Sequence, residues 1–153
     1  MTAPPTIRAC QEADMPAITA IYGHHVRHGF ASFETDPPAL EDMLRRRTDV
    51  IGKGLPYLVA EREGAILGYA YAGTYRARAA YRDTVENSIY LRPDTVGQGI
   101  GRLLLRDAER RARQGGAARL EVTSAGHRTE AHAFYRACGF SEGAVRFVKL
   151  LGD

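Results

Sequence analysis

The sequence predicts an α/β fold in which a mixed sheet, mostly antiparallel in its first strands, is flanked by helices. Three observations carry this expectation. Apolar runs short enough for strands alternate with stretches of helical period. Three strand-like segments follow one another before a single crossover helix, which makes the early sheet antiparallel. The chain has 153 residues, 44% of them hydrophobic, enough for one domain spanning residues 1–153 with a real core.

Each element has its own signal. "TIRAC" (6–10) reads as the first strand. Asp14 can cap a helix whose apolar stripe is Ile18, Ile21, Tyr22, His25 and Val26, ending near Gly29. A loop over 29–38 follows. Asp36 is the expected cap of a second helix with Pro37 in its first turn, and Leu40, Met43 and Leu44 are its buried side. "PYLVAER" and "AILGYAYAG" are apolar runs joined by "EG", a hairpin. A basic, tyrosine-bearing connection over 74–83 leads to "TVENSIYL" (84–91). Strand alternation puts Val85, Asn87, Ile89 and Leu91 on one face and Thr84, Glu86, Ser88 and Tyr90 on the other. The next helix buries Ile100, Leu103, Leu104, Ala108 and Ala112 and stops at Gly115–Gly116. A strand is expected over 118–123. A last helix carries Ala131, Phe134, Tyr135 and Cys138 on its stripe and ends at Gly139; a closing strand is expected over 145–151.

Composition narrows the function classes. A net charge of +3 and arginine clusters on helices give no basic stripe with interleaved stacking aromatics, which disfavours nucleic acid as a partner. Cys10 and Cys138 are far apart and have no metal-type spacing. His24 and His28 are four apart, but no third ligand accompanies them, so no metal is expected. No segment is apolar for long enough to span a bilayer, and the start lacks the apolar run of a signal peptide, so the expected compartment is the cytoplasm.

The most informative stretch is "YLRPDTVGQGIGRLLL", a strand end, a turn, three alternating glycines and a helix start. Successive glycines let backbone N–H groups approach a ligand, and a helix N-terminus adds unsatisfied donors and partial positive charge. Together these suit a phosphate or pyrophosphate. The alternative is a turn that only tightens strand–helix packing. A Walker A loop needs Lys and Ser or Thr after the last glycine, whereas Arg102 and Leu103 stand there. A dinucleotide fingerprint needs G-x-G-x-x-G directly after the strand; here the spacing is G-x-G-x-G and "RPDTV" intervenes.

The same stretch resembles the pyrophosphate loop of the GNAT family of N-acetyltransferases, except that Val96 stands where that family prefers Arg or Gln. "TEAHAFYRACGF" resembles the family's second signature through Ala131, Tyr135, Gly139 and Phe140, with Arg128 in place of the usual Asn. Upstream, "IYGHHVRHGFASFET" and "GYAYAGTYRARAAYRDTVENSIY" are similar to the branch that acetylates phosphinothricin and methionine sulfoximine. The likeness to that branch covers roughly residues 6 to 123, and the remainder resembles the family at large.

The resemblance implies a GNAT-like fold and direct transfer of acetyl from acetyl-CoA to a primary amine of a small-molecule acceptor, and it suggests a homodimer. The cofactor is expected on Ile89, Tyr90, Leu91, Val96, Gly97, Gln98, Gly99, Ile100, Gly101 and Arg102. Glu86 is the candidate base that frees the amine, unless it is a surface carboxylate paired with a neighbouring cation. A free backbone N–H around Ile89 to Leu91 could stabilise charge growing on the thioester oxygen. Tyr135 stands where the family's general acid sits, although a tyrosine on an apolar stripe is commonly core. Arg76 and Arg78 could clamp an acceptor carboxylate, or simply form a solvated basic loop. Phe30, Phe33 and Glu34 could line the acceptor side chain, the phenylalanines otherwise being core. The competing readings are another amine (polyamine, aminoglycoside or protein) and a sensor that binds acetyl-CoA without chemistry, which Val96 and Arg128 would favour.

Overall fold

A computed structural model describes residues 2–28, 34–74, 84–124, 128–143, 147 and 149–151. Its elements are β1 (Thr6–Ala9), α1 (Met15–His28), α2 (Leu40–Gly52), β2 (Tyr57–Arg62), β3 (Ala65–Thr74), β4 (Thr84–Leu91), α3 (Ile100–Gln114), β5 (Arg119–Glu121) and α4 (Thr129–Ala137). The five strands lie in sequence order, β1-β2-β3-β4-β5. The first three pairings are antiparallel, and β4–β5, joined through α3, is parallel. This is the α/β mixed sheet expected from the sequence.

Alternation along the strands sorts the core into two layers. Tyr57, Val59, Ile66, Tyr69 and Tyr90 pack with Met15, Ile18, Tyr22 and Val26 of α1 and with Met43 and Val50 of α2. Leu58, Ala60, Leu67 and Ala70 face the other way, onto Ile100, Leu104 and Ala108 of α3. With both faces covered, central strands have no solvent side to mark with polar residues, so β2 and β3 read as continuous apolar runs.

Three boundaries depart from the sequence reading. The second helix starts at Leu40, with Ala39 as its cap, rather than at Pro37. Pro38 is the reason: a residue preceding proline is pushed out of the helical region, so Pro37 stays extended. Leu40 thereby falls in the first turn and is 40% exposed, and Val50 joins Met43 as the buried side. In α3, Leu105 is buried and Leu103 only half-buried. β5 is three residues long, because it pairs only with Thr84–Glu86. Of the strand expected over 145–151, residues 145, 146 and 148 lie outside the described residues; Phe147, Lys149, Leu150 and Leu151 have no strand pairing and are exposed.

The chain divides into two units, Met1–Thr123 and Ser124–Asp153. The first holds the sheet and α1 to α3. The second holds α4, whose end has a defined geometry. Gly139 has φ of 94° and donates to Arg136 O at 3.0 Å, while Phe140 N–H reaches Tyr135 O at 3.0 Å. This is a Schellman motif, in which a left-handed residue closes the last turn. It brings the Phe140 ring to 5.6 Å from that of Tyr135, the apolar contact such a cap carries. Among the described residues no helix is long and apolar enough to cross a membrane.

Candidate active site

The sheet parts at β4. Glu86 is the last residue of β4 paired with β5, opposite Glu121, while β4 continues to Leu91. From Asn87 onward that edge of β4 has no partner among the described residues. Arg92 N–H donates to Leu67 O at 2.8 Å on the β3 side, which fixes the alternation. Asn87, Ile89 and Leu91 therefore turn their backbone groups to the open edge, as antiparallel pairing requires. The Leu91 carbonyl is met by His25 Nε2 at 2.8 Å, so the strand end is held from α1.

Glu86 stands half-buried on the α1/α2 side of β4, with Ser88 and Tyr90. Tyr71 of β3 is the cross-strand partner of Ser88 and hydrogen-bonds its hydroxyl. Burial raises the Tyr71 pKa, the Ser88 bond opposing it, and Arg46, Glu86 and Glu34 all lie close enough to act on this phenol. Glu34 is engaged already. It accepts from Arg46 Nη2 at 2.5 Å and from the Tyr22 hydroxyl, and the Arg46 bond holds its pKa below the ordinary value. Arg46 also sits over the Tyr22 ring, 5.9 Å from its centroid.

At the far end of the open edge comes the glycine loop. A single 3-10 turn, Pro93–Thr95, is latched by the buried Thr95 hydroxyl, 2.7 Å from Arg92 O and 3.1 Å from Leu67 O. Gly97 and Gly99 have φ of 85° and 80°, conformations that side chains disfavour. Gly99 is the cap position of α3, with no side-chain capping bond and no acidic residue in the first turn. The first N–H groups of α3 thus have no intrahelical acceptor. Ile100, fully buried, pins the helix start to the core. Gln98 is exposed and bridges Asp94 O, at 3.2 Å, and the Arg62 guanidinium, also at 3.2 Å. Arg102 is exposed beside it, and Val96 is 67% exposed. Uncapped donors, a positive helix end and two nearby guanidinium groups fit a pyrophosphate.

Tyr135 belongs to the second unit. Its ring lies 5.2 Å from Phe134, and burial raises the phenol pKa while the Arg128 charge opposes the shift. Phe30, Phe33, Arg76 and Arg78 lie outside the described residues. The His24 and His28 rings are 4.3 Å apart, but among the described residues no three His, Cys, Asp or Glu side chains group to hold a metal ion. Sequence reasoning missed Tyr71, Ser88, Arg46, His25, Thr95 and Arg62. All act through partners distant in sequence, and only the alternating tyrosines of "YAYAG" hinted at a shared face.

A sheet that parts beside a carboxylate, with an uncapped glycine-lined helix start at the end of the parted strand, defines a transferase that takes a phosphate-bearing co-substrate. Residues 18–140 match the acetyltransferase (GNAT) family, and the chain belongs to it. It is an acetyl-CoA-dependent N-acetyltransferase. The chain is 49% identical over 142 residues to a phosphinothricin N-acetyltransferase of Alcaligenes faecalis, covering 92% of this chain and 72% of the relative. It is 39% identical over 100 residues to an L-methionine sulfoximine/L-methionine sulfone acetyltransferase of Salmonella typhimurium, covering 65% of this chain and 58% of that one. A phosphinothricin acetyltransferase from Sinorhizobium meliloti, solved in complex with AcCoA, superposes with a TM-score of 0.88 at 40% identity, over 92% of this chain and 77% of its own.

Proposed function

We propose that residues 1–153 act as one domain that acetylates the primary amine of a small amino-acid-like acceptor, of the phosphinothricin or methionine sulfoximine/sulfone type. The observation that carries this reading is the position of Glu86. It stands where β4 and β5 part, three and five residues ahead of the outward-turned N–H groups of Ile89 and Leu91, and on the face of Tyr71 and Ser88. The names of the relatives support the acceptor class.

Bound acetyl-CoA supplies an activated acetyl thioester, with its pyrophosphate on Gly97–Arg102. Glu86 takes a proton from the acceptor ammonium, directly or through one water. The N–C bond forms as the C–S bond breaks, and the nitrogen then gives up its second proton, which restores the Tyr135 phenol after that group has protonated the thiolate. Backbone N–H groups at the open edge stabilise the oxygen on which charge grows. Tyr135 returns a proton to the departing thiolate, a task for which a phenol is protonated at neutral pH. Arg76 and Arg78 are assigned the acceptor carboxylate, with Phe30, Phe33 and Glu34 along the acceptor side chain. The reading includes a homodimer in the cytoplasm.

The test is thiol release from acetyl-CoA with phosphinothricin, methionine sulfoximine, methionine sulfone, spermidine and an aminoglycoside. Turnover is expected only with the amino-acid analogues. Glu86→Gln and Tyr135→Phe should each lower it by about 10²–10⁴-fold, the usual weight of general acid–base catalysis. Cofactor binding without thiol release from any amine would instead make the protein a sensor, the reading that Val96 favours.

A further inference from the structure

β3 contains two glycines, Gly68 and Gly73, and a glycine inside a strand gives up backbone entropy while packing nothing. Gly68 has a reason within the fold, because a Cβ there would stand 2.7 Å from Leu91 Cδ2. Gly73 has none among the described residues. A Cβ built on it meets no atom of theirs within 4 Å, and its φ lies outside the left-handed region that favours glycine. A strand glycine with neither crowding nor strain marks a place that something outside the fold approaches closely.

The register says where that place is. Gly73 is the cross-strand partner of Glu86, so both belong to the α1/α2 face of the sheet. Side chains shrink along this ladder, from Tyr69 opposite Tyr90, through Tyr71 opposite Ser88, to Gly73 opposite Glu86. The tyrosines pack against the core beside α1 and α2. At Gly73 the face is bare, next to the group assigned to deprotonate the acceptor. Arg76 and Arg78, assigned the acceptor carboxylate, follow Gly73 by three and five residues in the chain. An α-amino acid carries its α-carbon between those two groups, one bond from the nitrogen that Glu86 meets.

We propose that Gly73 is a specificity-determining residue: its bare backbone is the floor on which the α-carbon of an amino-acid acceptor rests, and a side chain there takes the acceptor's place. This deepens the acetyltransferase reading and rests on the assignment of Glu86 to the acceptor amine. Gly73 moves no proton; it sets how near the amine and its substituents come to the carboxylate.

The experiment uses Gly73→Ala, Gly73→Ser and Gly73→Val. Thiol release is followed with phosphinothricin and with methionine sulfone, CoA affinity by calorimetry, and Tm by circular dichroism. KM for both acceptors should rise about tenfold or more in Gly73→Ala, the usual weight of one methylene in a fitted pocket. It should rise equally in Gly73→Ser and further in Gly73→Val, so that the loss follows volume and not polarity. In Gly73→Ala, CoA affinity should match that of the unaltered protein and Tm should not fall. Unchanged KM in Gly73→Ala and Gly73→Val would overturn the proposal. Parallel losses of Tm, CoA affinity and acceptor affinity would also overturn it, since protein and not the acceptor would then fill the space. Should the unaltered protein release thiol with neither acceptor, the acceptor reading falls and this inference with it; turnover that the variants leave untouched removes this inference alone.

Discussion

Asp14 shows how much one carboxylate can organise. It accepts from Arg8 Nη1 at 2.8 Å and Nη2 at 2.9 Å, a bidentate pair, and from Gln11 N–H at 2.7 Å at the entry to α1. Arg8 in turn reaches Glu61 of β2 at 2.6 Å, so strand, helix entry and hairpin meet at one guanidinium. The Arg8 bonds hold the Asp14 pKa below its ordinary 3.8, with burial opposing. A depressed carboxylate contributes stability above its unfolded value, and that contribution is lost as pH falls through the folded value. Asp14→Asn should therefore lose ~1–3 kcal/mol at pH 7 in urea denaturation. The gap to the unaltered protein should shrink as pH is lowered below 4; a gap independent of pH would contradict the ion-pair account. The sequence reading of Asp14 as a cap located the helix entry but not its geometry: Gln11 is the cap, and Asp14 ends a 3-10 turn, Glu12–Asp14, with its carboxylate reaching back to Gln11 N–H. The Arg8 and Glu61 network was not legible, since residues 8 and 61 meet only through strand pairing. The site divides in the same way: Glu86 and the glycine loop stand in local sequence patterns, whereas Tyr71 against Ser88 depends on the β3–β4 register.

At the scale of elements, the pairing of β3 with β4 decides where the cofactor edge lies, and Gly68 decides how closely they pair. A Cβ at Gly68 would stand 2.7 Å from Leu91 Cδ2, closer than real contacts permit, and 3.0 Å from Tyr90 O, tighter than most. Gly68→Ala must turn the Leu91 side chain aside and push Tyr90 O back by a few tenths of an ångström, next to a Leu91 carbonyl that His25 holds. The overpacking should cost ~1–3 kcal/mol, a fall in Tm of ~3–10 °C, with a weaker affinity for CoA because Leu91 carries one of the outward N–H groups. An unchanged Tm would mean that the strands can separate freely. The β2–β3 hairpin was legible to within one residue, because apolar runs and a two-residue turn fix both strands from within. The start of α2 was misread because two prolines in succession act on each other, and the length of β5 because its partner strand parts from it.

Across the whole molecule, the layer between the sheet and α1 and α2 is unusual in being built largely of tyrosine. Tyr57 stacks on Tyr71 at 5.3 Å and on Tyr69 at 6.0 Å, and Tyr69 stacks on Tyr90 at 5.4 Å. Tyr69 is fully buried, and its hydroxyl has no hydrogen-bond partner among the described residues. Burial raises the pKa of Tyr57, Tyr69 and Tyr71 above the ordinary 10.0. In the unfolded chain these phenols ionise near that ordinary value, while the folded state holds their protons to higher pH. Stability is therefore fully present below about pH 10 and falls as pH rises beyond it, because the unfolded state then binds fewer protons. Each such group contributes a slope of up to about 1.4 kcal/mol per pH unit between its unfolded and folded values. A domain with ~5–15 kcal/mol of stability should then unfold cooperatively as pH is raised above the ordinary tyrosine value of 10.0. Absorbance at the phenolate band, followed together with far-ultraviolet circular dichroism, distinguishes the outcomes. The buried tyrosines should ionise in one step that coincides with loss of secondary structure. Ionisation of all tyrosines near pH 10 with the dichroism intact would mean that water reaches this layer, and the stacked tyrosines could then not seal the wall behind Glu86.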